Sequence, residues 1–269
     1  MAMSFALPLA TPAPGDLASP ENPILVRTLE ERAFNAWPAR QSVLHGGWVF
    51  RLSGGFTKRA NSVNAVEAGA SFTGVRAAAE ALYARHGLPP VFRMSPLAHP
   101  DADRELADAG YTHFDPSLVM ASAWLDAAQA HAGVQIDATP SATWLDGFAA
   151  ANGVRAQYHA IHHGMVHAIA LPCAFASLRD GSGRTIGFGL AVLERGAIGL
   201  YDIVVDPELR GLGHGRALVC ALLQWGREAG AVSAYLQVRA VNEVAQRLYA
   251  GLGFVEVYQY HYRIPPLKV

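Results

Sequence analysis

Two related α/β domains are what this 269-residue sequence predicts, and three observations point there. Strand-like and helix-like patterns alternate along the chain. One order of elements recurs in each half: helix, strand, a helix closed by glycine and an aromatic residue, then a strand. The closures are Gly110-Tyr111 and Gly253-Phe254. Residues 200–225 read as a buried strand, a glycine-bearing loop and an amphipathic helix. A hydrophobic share of 51% against 16% charged residues supplies enough apolar surface for one or two cores.

In the first half, residues 24–41 carry Leu29, Ala33 and Trp37 at helical spacing. Gly46-Gly47 introduces a strand at 48–52, Ser53-Gly54-Gly55 is a turn, and 56–66 continue as a more polar strand. An alanine-rich helix over 74–86 ends at Gly87 before Pro89-Pro90. A short strand at 91–94, a helix at 101–109 and a strand at 118–124 complete this half. The second half opens with helices at 141–150 and 158–168, followed by strands at 174–178, 186–193 and 198–205. Helix 213–229, strand 233–238, helix 242–250 and a last strand to residue 263 follow. The expected organisation is a disordered tail over 1–22, where four prolines and small residues gather, then domains over 23–130 and 131–269.

Charge and cysteine content exclude several classes. A net charge of −1 gives no strong electrostatic case for nucleic acid or an anionic membrane. Cys173 and Cys220 are too few for a disulfide framework and too far apart for a zinc ribbon. Residues 1–20 hold no lysine or arginine, which argues against a secretory signal, and no apolar run reaches the length of a membrane span. The expected location is the cytoplasm.

The strand–loop–helix at 200–225 is the chemically informative stretch. Asp206-Pro207 closes the strand, since proline offers no N–H to a continuing ladder. Gly211, Gly213 and Gly215 then allow a pyrophosphate close to backbone N–H groups at a helix start, with Arg210 and Arg216 as cationic donors. A dinucleotide fingerprint would place its third glycine one residue later, and a Walker loop would need a lysine that is absent. What fits is Val-x-Pro-x-x-Arg-Gly-x-Gly-x-Gly over 205–215. This resembles the acyl-CoA signature of the GNAT superfamily of N-acetyltransferases. The likeness covers 135–263, and Asn242-x-x-Ala245-x-x-Leu248-Tyr249-x-x-x-Gly253-Phe254 resembles a second motif of the family. Trp48, Arg51 and the run 57–62 are similar to degenerate amino-terminal domains of bacterial tandem GNAT proteins.

The resemblance implies an α/β (α+β) fold of two GNAT-like domains, each a mixed, mostly antiparallel sheet flanked by helices. It also implies acetyl-CoA as co-substrate. Backbone groups of Ile203, Val204 and Val205 would hold the pantetheine arm, and Arg210, Gly211, Leu212, Gly213, His214, Gly215 and Arg216 the pyrophosphate. Asn242 would bond the arm, and Tyr249 would protonate the departing thiolate besides touching the cofactor. The family glutamate is missing, because the strand before Asn242 offers Gln237 instead. Asp202, Glu194 or a water relay are the open choices for general base. The first half, with Glu67 to Thr73 in place of an anion loop, is expected to bind no CoA. His159, His162, His163 and His167 have helical i, i+4 spacings but lack the glutamate of a zinc-protease motif. They read as a polar helix lining the acceptor cleft, and no metal is expected. The implied function is acetyl transfer to a primary amine of an unidentified small molecule or peptide, with the oligomeric state left open. The alternative is a non-catalytic module that binds or senses acyl-CoA.

Overall fold

A computed structural model describes residues 22–123, 125 and 133–266. The expected tail, apart from Asn22, and the expected domain boundary at 130/131 lie outside the described residues. Asn22 instead caps the first helix, its Oδ1 accepting from the N–H groups of Ile24 and Leu25 at 3.1 and 3.3 Å.

In chain order the elements are α1 (Pro23–Ala36), β1 (Gln41–His45), β2 (Trp48–Leu52), β3 (Val63–Ala65), α2 (Val75–Arg85), β4 (Phe92–Met94), α3 (Pro100–Asp108) and β5 (Thr112–Ser122). The second half adds β6 (Val134–Asp137), α4 (Ala142–Ala151), α5 (His159–His167), β7 (Cys173–Arg179), β8 (Thr185–Glu194) and β9 (Ala197–Val205). It ends with α6 (His214–Glu228), β10 (Ser233–Arg239), α7 (Glu243–Ala250) and β11 (Val255–Ile264). Three expectations are corrected. Helix α1 stops at Ala36, because Pro38 disfavours helical backbone at Trp37, and the chain turns into the exposed strand β1. The polar stretch 56–66 holds a 3-10 turn at Lys58–Ala60 and only the short β3. The edge strand β6 was not expected.

The two-domain description gives way to one sheet of eleven strands, ordered β1-β2-β3-β4-β11-β5-β10-β9-β8-β7-β6. That order is pseudo-symmetric about the central β11–β5 pair, with β6 as an additional edge strand in the second half. The last strand of each half, β5 or β11, crosses into the other half, so β5 pairs antiparallel with β10 and β11 with β4. The two strands pair with each other at the centre. Only β3–β4 and β9–β10 are parallel. Mixed α/β architecture therefore holds, with helices on both faces of a shared sheet. One face carries α1 to α5 over a core that runs from Trp37 and Trp48 to Trp144 and Tyr201. The other carries α6 and α7 over Leu200, Leu218, Leu222 and Phe254. Helix α1 also lies across the second half, where Arg32 Nη2 donates to the Arg195 carbonyl at 3.0 Å.

Candidate active site

Strands β9 and β10 pair only from Ala197 to Leu200 against Ser233 to Leu236. Beyond Leu200 they part, β9 staying with β8 and β10 with β5. The parting is reinforced by a bulge. Tyr201 faces Leu190 and Val204 faces Phe188, so β9 carries an extra residue, and Asp202 takes a left-handed backbone at φ 52°. Aspartate tolerates that conformation better than most side chains. A cleft of about 1270 Å³ opens in the gap, with residues 200–205 along one wall and Gln237, Val238 and Arg239 along the other.

The loop after β9 is built to leave donors free. Asp206 accepts from the Glu208 N–H at 3.1 Å and from Arg184 at 3.0 Å, which fixes the turn. Arg210 folds back, its Nε donating to the Val205 carbonyl at 3.2 Å. Gly211 and Gly213 sit at φ 81° and 85°, and a Cβ on either would point into open space. Helix α6 then begins at His214 with Gly213 as a cap that offers no side chain. Its first-turn N–H groups therefore point outward unpaired by any cap, beside Arg216. Leu212 is exposed at the loop tip. Behind this, α6 lies close on β9, where a Cβ on Gly226 would come 2.6 Å from Ile198 Cδ1.

Helix α7 brings two more residues to the cleft. Asn242 caps it, Oδ1 accepting from the Ala245 N–H at 3.2 Å. Tyr249 is buried beside Phe254 and lines the cleft, and burial pushes its hydroxyl up to about 12.

The base candidates separate. Asp202 lines the cleft with its side chain 6% exposed, and Oδ2 stands 3.7 Å from His162 Nε2. Among the described residues neither that oxygen nor either His162 ring nitrogen has a hydrogen-bond partner. Glu194 lies at the far end of β8, away from the cleft, held by Asn35 at 3.1 Å and Arg195 at 3.1 Å. It belongs to the contact between α1 and β8. Helix α5 does not line the cleft as expected. His162 is fully buried against Trp37, Phe56 and Phe148, His163 faces Asp146 at 3.7 Å, and burial draws the His163 ring below its ordinary value. Among the described residues no three His, Cys, Asp or Glu side chains converge as a metal site.

The first half supplies what the sequence did not suggest. Lys58, Arg59, Phe114 and Asp115 reach the same cleft, as do Tyr260 and Tyr262 of β11. Tyr260 donates to Gln237 Oε1 at 3.1 Å, closing the wall opposite Asp202. The run Thr57-Lys58-Arg59 was the signal available, but without the strand exchange nothing tied it to residues 200–250.

Residues 25–263 match the family described as "probable histone acetyltransferase Rv0428c C-terminal". The chain belongs to that family, within the GNAT N-acetyltransferases. This GNAT chain is 30% identical over 245 residues to the uncharacterized N-acetyltransferase YobR of Bacillus subtilis, covering 89% of itself and 98% of that protein. Its fold is that of a GCN5-related N-acetyltransferase from Kribbella flavida, with TM-score 0.69 at 17% identity over 91% of this chain and 96% of that one. A second, from Sphaerobacter thermophilus, aligns at TM-score 0.62 and 17% identity over 96% of each.

Proposed function

We propose that this acetyltransferase moves an acetyl group from acetyl-CoA to a primary amine. The observation that carries the reading is the parting of β9 from β10 beside the uncapped start of α6. Free N–H groups at a positive helix end, glycines whose Cβ would intrude on open space, and Arg210 and Arg216 suit a pyrophosphate. The edge of β9 that faces the gap has no ladder partner after Leu200, so Ile203, Val204 and Val205 can bond an amide-bearing arm. Asn242 keeps its amide N–H groups for that arm while its oxygen caps α7.

Acetyl-CoA brings a thioester that is already activated, so the chain has to position the amine and move protons. Asp202 Oδ2 takes the proton of the amine, with His162 behind it. Tyr249 keeps its proton at neutral pH, since burial holds its hydroxyl at about 12, and gives it to the departing sulfur. Glu194, away from the cleft, takes no part in this scheme. The test is calorimetry with acetyl-CoA on Arg210→Glu and Gly213→Val, paired with melting curves. Both variants should stay folded and lose CoA affinity. Unchanged affinity in both would remove the basis of the proposal, and binding without transfer to any amine would favour an acyl-CoA sensor.

A further inference from the structure

We infer that the acceptor is an amine that also carries a carboxylate, and that Arg59 binds this carboxylate. The inference rests on the acetyl-transfer reading above. Lys58, Arg59 and Arg239 line the cleft. Lys58 and Arg239 both pair with Asp115, at 3.1 and 2.5 Å. Arg59 forms no ion pair and its side chain no hydrogen bond among the described residues, although it is half-buried. Its guanidinium lies over Trp37 and Tyr201, 5.2 and 6.0 Å from the ring centroids. Stacking on rings leaves the in-plane N–H donors available, which is the geometry that takes a carboxylate in two parallel bonds.

The chain holds this residue in place. Asn61 is buried in the turn before β3, its Oδ1 accepting from Ser53 and Gly55 N–H groups at 2.7 and 2.9 Å. Its amide donates to the Phe56 and Thr57 carbonyls at 2.6 and 2.9 Å. Buried Arg51 donates to the Arg59 carbonyl at 2.7 Å. Thr57 is β-branched yet sits at φ 56°, a conformation its surroundings must impose. Trp37 Nε1 also donates to Thr57 Oγ1 at 3.2 Å. A turn constrained this heavily presents Lys58 and Arg59 in one orientation.

Arg59 and Asp202 line the same cleft. Tyr201 precedes Asp202, and Trp37 packs on His162 at 6.2 Å, the histidine beside that carboxylate. A donor for a carboxylate and an acceptor for an ammonium proton therefore share one compartment, which fits a free amino acid. A polycationic acceptor would meet the unpaired Arg59 cation there.

The experiment compares acetylation of free amino acids with acetylation of the amines left by removing their carboxylates. It uses wild type, Arg59→Met and Arg59→Lys, with acetyl-CoA affinity and melting temperature measured for each. Amino acids should be acetylated and the decarboxylated amines should not. Arg59→Met should raise KM for the best amino acid by about 10²-fold with CoA affinity unchanged, and Arg59→Lys by less, since it keeps charge but not the fork. Equal use of the decarboxylated amines, acetylation of neither series, or an unchanged KM in both variants overturns the inference. Those outcomes leave CoA binding intact, whereas failure of wild type to bind CoA would sink the transfer reading itself.

Discussion

Tyr249 and Asp202 occupy opposite situations in one cleft. The tyrosine is desolvated, so its phenol holds its proton at any pH near neutral and is chemically suited to give a proton and not to take one. The aspartate stands on a bulge with a carboxylate oxygen that no hydrogen bond claims among the described residues. Removing one oxygen tests the donor. Tyr249→Phe keeps the ring and its contact with Phe254, so CoA affinity should hold while the chemical step slows by about 10²-fold or more. If the hydroxyl were merely a core group, the same change would cost roughly 1 kcal/mol of stability and leave turnover intact. Single-turnover kinetics beside a melting curve separates the two patterns.

Between elements, α3 is tied to β11 by one carboxylate. Asp103 accepts from Arg263 Nε and Nη2, both at 2.7 Å, and contacts His261 Nε2 at 2.7 Å. The Arg263 hydrogen bonds, then those of His261, hold Asp103 at about 2, below its ordinary carboxylate value. A depressed folded value stabilises the fold in full above the unfolded value of 3.8, and the gain fades as pH falls toward 2. Asp103→Asn should therefore melt lower than wild type at pH 5 and above, with the difference shrinking between pH 4 and pH 2. A constant difference across that range would show that Asp103 contributes by packing and not by charge. Edge elements were the hard ones to read. All five residues of β1 are exposed and show no burial alternation, and β6 has only four residues to declare itself.

At the scale of the molecule, the two halves cannot come apart without breaking the central β4-β11-β5-β10 pairings. A buried cluster locks the same seam. Arg93 of β4 pairs with Glu30 of α1, the Tyr258 hydroxyl of β11 donates to that carboxylate, and the Arg93 guanidinium lies 3.6 Å from the Tyr260 ring centroid. Removing one member of a buried pair leaves the other charge unpaired in a low-dielectric core, so Glu30→Ala should cost about 3–5 kcal/mol. Unfolding should stay a single transition, because Arg93 and Tyr258 come from different halves. Urea titration followed by tryptophan fluorescence and by circular dichroism would check both points. Two separated midpoints would contradict a shared sheet.

Local chemistry was legible in the chain. Asp206-Pro207 ended a strand, spaced glycines opened a helix, and Asn242 began another, because each acts on its own backbone neighbours. The motif over 205–215 marked the loop and helix start that line one end of the cleft for the same reason. Tertiary structure decided the rest. Strand pairing is set by side chains far apart in sequence, so the local pattern foretold a strand at 118–124 and a last strand to residue 263 but not that each would complete the other half. Glu194 and Asp202 are equally acidic in sequence, yet the turn between β8 and β9 sends one to a surface network and the bulge sends the other into the cleft. Lys58 and Arg59 lie more than a hundred residues before Asp202, and only the exchanged strands bring them to its side.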